Sequence, residues 1–113
     1  MAYLQSSPAP DVVYCENDNM CFGVMQALDE LGIAYGDGGV TLISFDAGRT
    51  ALSYCKDGKI NLCAECNPLH GPRVRALIEQ LARGETPEKL SYMPEALFTA
   101  DTLTAELLES RVY

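Results

Sequence analysis

Three short apolar runs each stop at a polar residue and lead straight into a helix-like segment. Val12-Val13-Tyr14-Cys15-Glu16 stops at Asn17-Asp18, Val40-Thr41-Leu42-Ile43-Ser44-Phe45 at Asp46, and Ile60-Asn61-Leu62-Cys63-Ala64 at Glu65. Near-continuous apolar strands alternating with helices predict an α/β fold, a parallel sheet covered on both faces in three layers. In such sheets ligands bind outside the carboxyl ends of the strands. Asn17, Asp46 and Glu65 would stand together on that rim, and three acceptor-rich side chains there suit a ligand made of hydroxyl groups.

The length of 113 residues bounds the chain to a single domain, 1–113, large enough to bury a core. Sixteen acidic against eight basic residues give a formal charge of −8. That balance argues against nucleic acid, whose phosphates need Lys and Arg, and otherwise signals solubility. Met1-Ala2-Tyr3-Leu4-Gln5-Ser6-Ser7-Pro8 has no basic stretch followed by an apolar one, so no signal peptide is expected in the chain as given. Five cysteines (15, 21, 55, 63 and 66) are an odd number spread over predicted strands and helices, unlike a disulfide scaffold. They read as mostly buried free thiols, suited to a reducing or anaerobic setting.

Residues 1–10 look like a helix end and a Ser/Pro loop. After the strand at 12–16, Asn17 or Asp18 can cap a helix running to Leu31, with Met20, Val24, Leu28 and Leu31 on one face and Gly32 as its stop. Tyr35-Gly36-Asp37-Gly38-Gly39 reads as a flexible loop. A short helix over 49–56 ends at Asp57-Gly58. Gly71-Pro72 opens another, striped with Val74, Leu77, Ile78 and Leu81 and closed by Gly84. Residues 90–99 are extended but interrupted by Pro94, which fits an edge or crossing strand. A last helix is expected over about 102–111. Three parallel strands and one edge strand are few for this architecture.

The run Tyr14-Cys15-Glu16-Asn17-Asp18-Asn19-Met20-Cys21-Phe22-Gly23-Val24-Met25-Gln26-Ala27-Leu28 resembles the pattern N-D-x-M-A-x-G-A-x-x-A-L of the C-terminal lobe of type I periplasmic sugar-binding proteins of ABC transporters. Ser44-Phe45-Asp46-Ala47 sits where that family has G-F-D-G or S-F-D-A. Asp57-Gly58-Lys59-Ile60-Asn61, Glu65-Cys66-Asn67-Pro68 and Gly71-Pro72 are similar to its galactofuranose and galactose branch. The resemblance covers about residues 3–105. It implies a partial doubly wound lobe that binds a monosaccharide, a pentose or hexose with furanose forms included, without chemical change. No catalytic residue, metal or cofactor is expected.

Carried over to this chain, the ligand contacts are Asn17, Asp46 and Glu65. Glu65 stands where ribose-type members carry Gln, while Cys21 and Val24 replace small Ala positions. The resemblance further implies an N-terminal lobe and two strand–helix units outside this chain, an ABC permease as partner, and a parent that is periplasmic or extracellular and membrane-anchored. The segment 90–99 resembles the hinge strand that crosses toward the N-lobe. A strand order of 2-1-3-4-5 would leave strand 12–16 without its neighbour, and an open apolar edge is a template for pairing with a second copy. Self-association through that edge and weak or absent sugar binding by the single lobe are therefore expected.

Other readings compete. Asn17 and Asp46 could simply cap the helices that follow them. A phosphoacceptor receiver domain also lines such a rim with carboxylates, here Glu16, Asp18 and Asp46, but needs a Lys where this chain has Glu65. Cys63-Ala64-Glu65-Cys66 with His70 could suggest zinc or thiol chemistry. Residues three apart in a strand face opposite ways, however, so those two sulfurs should diverge. The ligand-binding domain of sugar-responsive repressors shares the fold. Its Pro-Glu-Asp-Val-type lead into the Asp46 strand is absent, and Gly38-Gly39-Val40 stands there.

Overall fold

The computed structural model describes residues 2–113. Four strands lie in the order β1 (Val12–Tyr14), β2 (Thr41–Asp46), β3 (Leu62–Glu65) and β4 (Leu97–Phe98). The first three are parallel, with Tyr14 beside Ile43 and Asp46 beside Glu65, and β4 runs antiparallel to β3. Helix α1 (Ala2–Ser6) precedes β1, and Met1, part of the expected helix end, lies outside the described residues. The connections are α2 (Asp18–Leu31), α3 (Arg49–Lys56) and α4 (Gly71–Ala82). A 3₁₀ turn (Ala100–Thr102) and α5 (Ala105–Ser110) follow β4.

Both parallel crossovers advance the same way across the sheet, so right-handed connections put α2 and α3 on the same face. There Cys21, Met25 and Leu28 of α2 and Ala51, Leu52 and Cys55 of α3 close over Leu42 of β2 and Cys63 of β3. The stripe of α2 is rotated by one residue from the expected one: Cys21 and Met25 are buried, whereas Met20 is 50% exposed. Asn17 caps α2 with Oδ1, 2.8 Å from the N–H of Met20, and Gly32 at φ 65° ends it. The last segment is tied to this layer by the buried Leu103 and by Lys56 Nζ, 2.6 Å from the Leu103 carbonyl.

Of the three expected layers, the described residues build two. The smallest extent is 17 Å, and a second helix layer would add about 10 Å. The opposite sheet face carries Val12, Tyr14, Ile43, Phe45 and Leu97, with Tyr14 and Leu97 more than 60% exposed. Helix α4 buries none of its residues, and Val74, Ile78 and Leu81 of its apolar stripe face solvent. The amphipathic pattern was right about the helix; the partner for its face is not among the described residues. The extended segment 90–99 pairs only at Leu97–Phe98, and the expected final helix breaks into the 3₁₀ turn and α5. The strand expected over 12–16 is paired over three residues only.

The glycine loop is tight. Gly36 adopts φ 73°, and a Cβ there would sit 2.1 Å from the Gly58 carbonyl; one on Gly39 would sit 2.2 Å from the Ala34 backbone. These glycines allow backbones to touch, which is a different use from flexibility. Gly36→Ala should lower stability by about 2 kcal/mol or more, combining backbone strain with a clash against main chain. Urea unfolding followed by circular dichroism would measure it, and an unchanged midpoint would contradict the packing.

Candidate functional site

The carboxyl ends of β1, β2 and β3 form one rim, and the register places Asp46 and Glu65 side by side on it. Asn17 stands at the end of β1, and its Oδ1 is engaged as the α2 cap. The carboxylate of Asp46 is exposed and makes no hydrogen bond among the described residues. Its backbone is in a region that residues with a Cβ rarely adopt: φ is 95° at Asp46 and 57° at Ala47. Such strain persists only where neighbours hold it, and it clusters at ligand sites.

Asp18 is one of the holders. It is 8% exposed, takes the Ser44 hydroxyl at 2.5 Å on Oδ1, and accepts the Gly48 N–H at 2.8 Å on Oδ2. Burial pushes its carboxyl above the ordinary range, against the Ser44 and Gly48 hydrogen bonds that pull it down. Sequence reasoning weighed Asp18 only as a helix cap or as a rim carboxylate of a receiver-type domain. Its reach to β2 and to the start of α3 is a tertiary property with no local signal.

Glu65 lies differently from Asp46. Its side chain is 7% exposed and pairs with Arg111, Nη1 to Oε1 at 2.7 Å, with the Arg111 side chain only 14% exposed. The Tyr113 hydroxyl also donates to Oε1, and the Ala96 N–H donates to Oε2 at 3.0 Å. Arg111 further donates to the Ala47 carbonyl at 3.0 Å from Nη2, and its guanidinium lies 4.3 Å from the Tyr113 ring centroid and 5.2 Å from that of Phe98. Arg49 completes the strap: its N–H meets the Tyr113 carbonyl at 2.9 Å and its guanidinium meets the Arg111 carbonyl. Residues 111–113 thus bind the strained turn to Glu65. Nothing in the sequence marks Arg111 and Tyr113, which lie 46 and 48 residues from Glu65 with no periodicity to connect them.

The Cys63–Cys66 pair separates as strand geometry demands, with Cys63 buried and Cys66 exposed. Among the described residues no group of three or more His, Cys, Asp or Glu is close enough to hold a metal, and no helix is long and apolar enough to cross a membrane. Two cavities open on the rim. One, of about 320 Å³, is lined by Asp18, Asn19, Asp46, Arg49 and Tyr113 among others; the second, of about 210 Å³, by Glu65, Asn67, Arg111 and Tyr113. A larger cavity, about 620 Å³, lies away from both, between α1, β1 and α2, and its lining is almost wholly apolar. The rim cavities are lined by charged and polar side chains, unlike the apolar one.

The mostly parallel sheet with helices on one face matches the lobe of type I periplasmic binding proteins, as the solved structures most like it show. A Mycobacterium smegmatis protein in complex with β-D-fucofuranose superposes with a TM-score of 0.81 at 33% identity, covering 89% of this chain and 33% of that one. A galactofuranose-binding protein gives 0.74 at 32%, covering 88% and 33%. The chain is also 34% identical over 97 residues to the galactofuranose-binding protein YtfQ of Escherichia coli, and 31% over 83 residues to the fructose import binding protein FruE of Bifidobacterium longum. Its homologues are therefore sugar-binding proteins. The matches take in 85% and 74% of this chain but only 30% and 24% of those two relatives, so the chain spans about a quarter to a third of their length. No protein-family model matches the chain.

Burial works against the charged form of Glu65, but Tyr113, Arg111 and Ala96 outweigh it and hold the carboxyl below its usual range. The stabilisation is therefore full above the ordinary glutamate value of about 4.3 and is lost as pH falls through the lower folded value. Arg111→Ala should cost about 3 kcal/mol, the low end for a buried pair that loses one partner. Glu65→Gln should flatten the fall in thermal midpoint below that pH. Parallel acid profiles for wild type and Glu65→Gln would show that the pair contributes nothing.

Proposed function

We propose that this chain is the sugar-contacting lobe portion of a solute-binding protein that delivers to an ABC importer, taking up a monosaccharide in pentose or hexose form, furanoses included. Capture is by hydrogen bonding, with no covalent step. The observation that carries the reading is the exposed Asp46 carboxylate, raised on a strained turn at the strand ends, in a chain homologous to proteins that bind furanoses. Asp46 accepts charge-assisted hydrogen bonds from sugar hydroxyls. Asn17, with Oδ1 engaged as a cap, offers its amide N–H₂ as donor. Glu65 belongs to the same set but is already committed to Arg111, Tyr113 and Ala96.

In this reading residues 1–113 are one domain, and 90–99 is the segment that crosses toward a second lobe. That lobe, a permease, and a periplasmic or extracellular membrane-anchored setting belong to the longer receptor. One lobe encloses a ligand on one side only, so binding is weak. Chemical-shift titration of the labelled chain with D-fructose, L-arabinose and D-galactose should move the amides of the 46–48 turn with no saturation at micromolar sugar, and Asp46→Ala should abolish the shifts. Shifts that survive in Asp46→Ala, or a micromolar calorimetric isotherm, would refute this assignment.

The β1 edge and the uncovered sheet face support self-association, since a parallel sheet ordinarily has both faces covered. Light scattering after size exclusion should give a dimer mass that falls toward monomer with Val12→Lys. A monomer at high protein concentration would remove the second copy from the picture.

A further inference from the structure

Two apolar surfaces of this chain have no partner among the described residues, and they lie on different parts of it. One is the open sheet face, with Val12, Tyr14 and Leu97 exposed. The other is the stripe Val74, Ile78 and Leu81 of α4, which spacings of four and three residues put on one side of the helix. We propose that a second copy of this chain covers the open face with its α4, the two copies exchanging helices across a twofold axis. The proposal rests on the self-association reading above and names the element that the second copy supplies.

The exposed area suits an occupant of that size. A compact chain of 12.3 kDa exposes about 6,100 Å², whereas this one exposes 7412 Å². The excess of about 1,300 Å² is larger than the roughly 800 Å² that each partner gives to a specific interface. The radius of gyration agrees, at 18.2 Å against about 13 Å for a compact domain of this length.

Charge decides which surface meets which. Of the eight basic and sixteen acidic residues, Arg73, Arg75, Arg83 and Glu79 fall within 71–83, a net +2. The remainder keeps five basic and fifteen acidic residues, a net −10. Strand β1, which contributes Val12 and Tyr14 to the open face, is flanked by the exposed acids Asp11 and Glu16. Two open faces laid on one another would set like charge against like, whereas α4 brings the basic element to the acidic body.

The helix does not serve its own sheet, because its base is tied. Arg73 donates to the Tyr92 carbonyl at 2.5 Å and to the Ser91 hydroxyl, and the Asn67 N–H donates to Glu95 at 3.2 Å. The chain leading into α4 and the chain returning from it are thereby joined, and α4 stands clear with none of its residues buried. A second copy meets no such restraint, since its sheet approaches the arm as a separate body. Each copy gives one helix and receives one, so the assembly closes at two.

The test uses the full chain, by light scattering after size exclusion and by nuclear magnetic resonance of methyl-labelled chains mixed with unlabelled ones. Contacts should appear between the labelled Ile78 and Leu81 methyls and the ring protons of Tyr14 and Phe45 in unlabelled chains. Ile78→Glu/Leu81→Glu alters only exposed residues, so the circular dichroism spectrum should be kept while the dimer weakens about tenfold or more. A dimer that survives this double variant but yields to Val12→Lys is paired through the β1 edge; that result would overturn the exchange and leave self-association standing. Methyl-to-ring contacts confined to a single chain, or none at all, would likewise overturn the exchange. A monomer at high protein concentration would overturn both.

Discussion

The buried carboxylate of Asp18 fixes the geometry on which the rim depends. It sits at the start of α2, reaches across to the Ser44 hydroxyl of β2, and holds the Gly48 N–H that begins α3. Three consecutive elements are thereby locked together at the end where the strands finish. The turn between them, Asp46-Ala47, has positive φ at both residues, a conformation that costs about 1–3 kcal/mol for each residue with a Cβ. Asp18 from one side and Arg111, through the Ala47 carbonyl, from the other hold the chain in it. The result is an exposed carboxylate on a rigid base, in place before any ligand arrives.

The three neighbouring rim residues are therefore unequal in a way their common position hides. Asn17 uses its carbonyl oxygen on its own helix, Glu65 neutralises a guanidinium, and Asp46 is unengaged among the described residues. Burial explains the division. A carboxylate as enclosed as that of Glu65 needs a cation and hydrogen-bond donors close by, and residues 111–113 and the Ala96 N–H provide them. An exposed carboxylate needs nothing of the kind, so Asp46 keeps its full capacity for hydroxyl donors.

Much of this architecture was legible in the sequence because it depends on neighbours in the chain. Apolar runs ending at Asp46 and Glu65 gave the strands their ends, Asn17 and Gly32 marked the two ends of α2, and the N-D-x-M motif pointed to the fold family. What escaped depends on partners far away in the chain. The one-residue rotation of the α2 stripe follows from where the sheet lies. The 3₁₀ break before α5 follows the pinning of Leu103 against α3. The strap joins Glu65 to residues with no motif around them. The apolar stripe of α4 was read correctly, but a pattern cannot say whether a covering surface is within reach.

The open sheet face and the rim are two consequences of the same one-sided layering. Helices α2 and α3 cover one face because both crossovers have the same hand, and the opposite face keeps Tyr14 and Phe45 in contact at 5.0 Å between ring centroids, with Tyr14 largely exposed. A cavity larger than either on the rim lies at the β1 end of the sheet and is lined by apolar side chains. Volume alone would place a ligand there. That surface is apolar, whereas the rim, with less space, carries the exposed carboxylate of Asp46 and polar side chains around it. The two regions therefore differ in character, apolar at the sheet edge and polar at the strand ends. The Glu65–Arg111 strap belongs wholly to the second: it ties β3 to the Asp46 turn and reaches neither β1 nor the open face. Its loss would disturb the rim first and leave the apolar edge as it is.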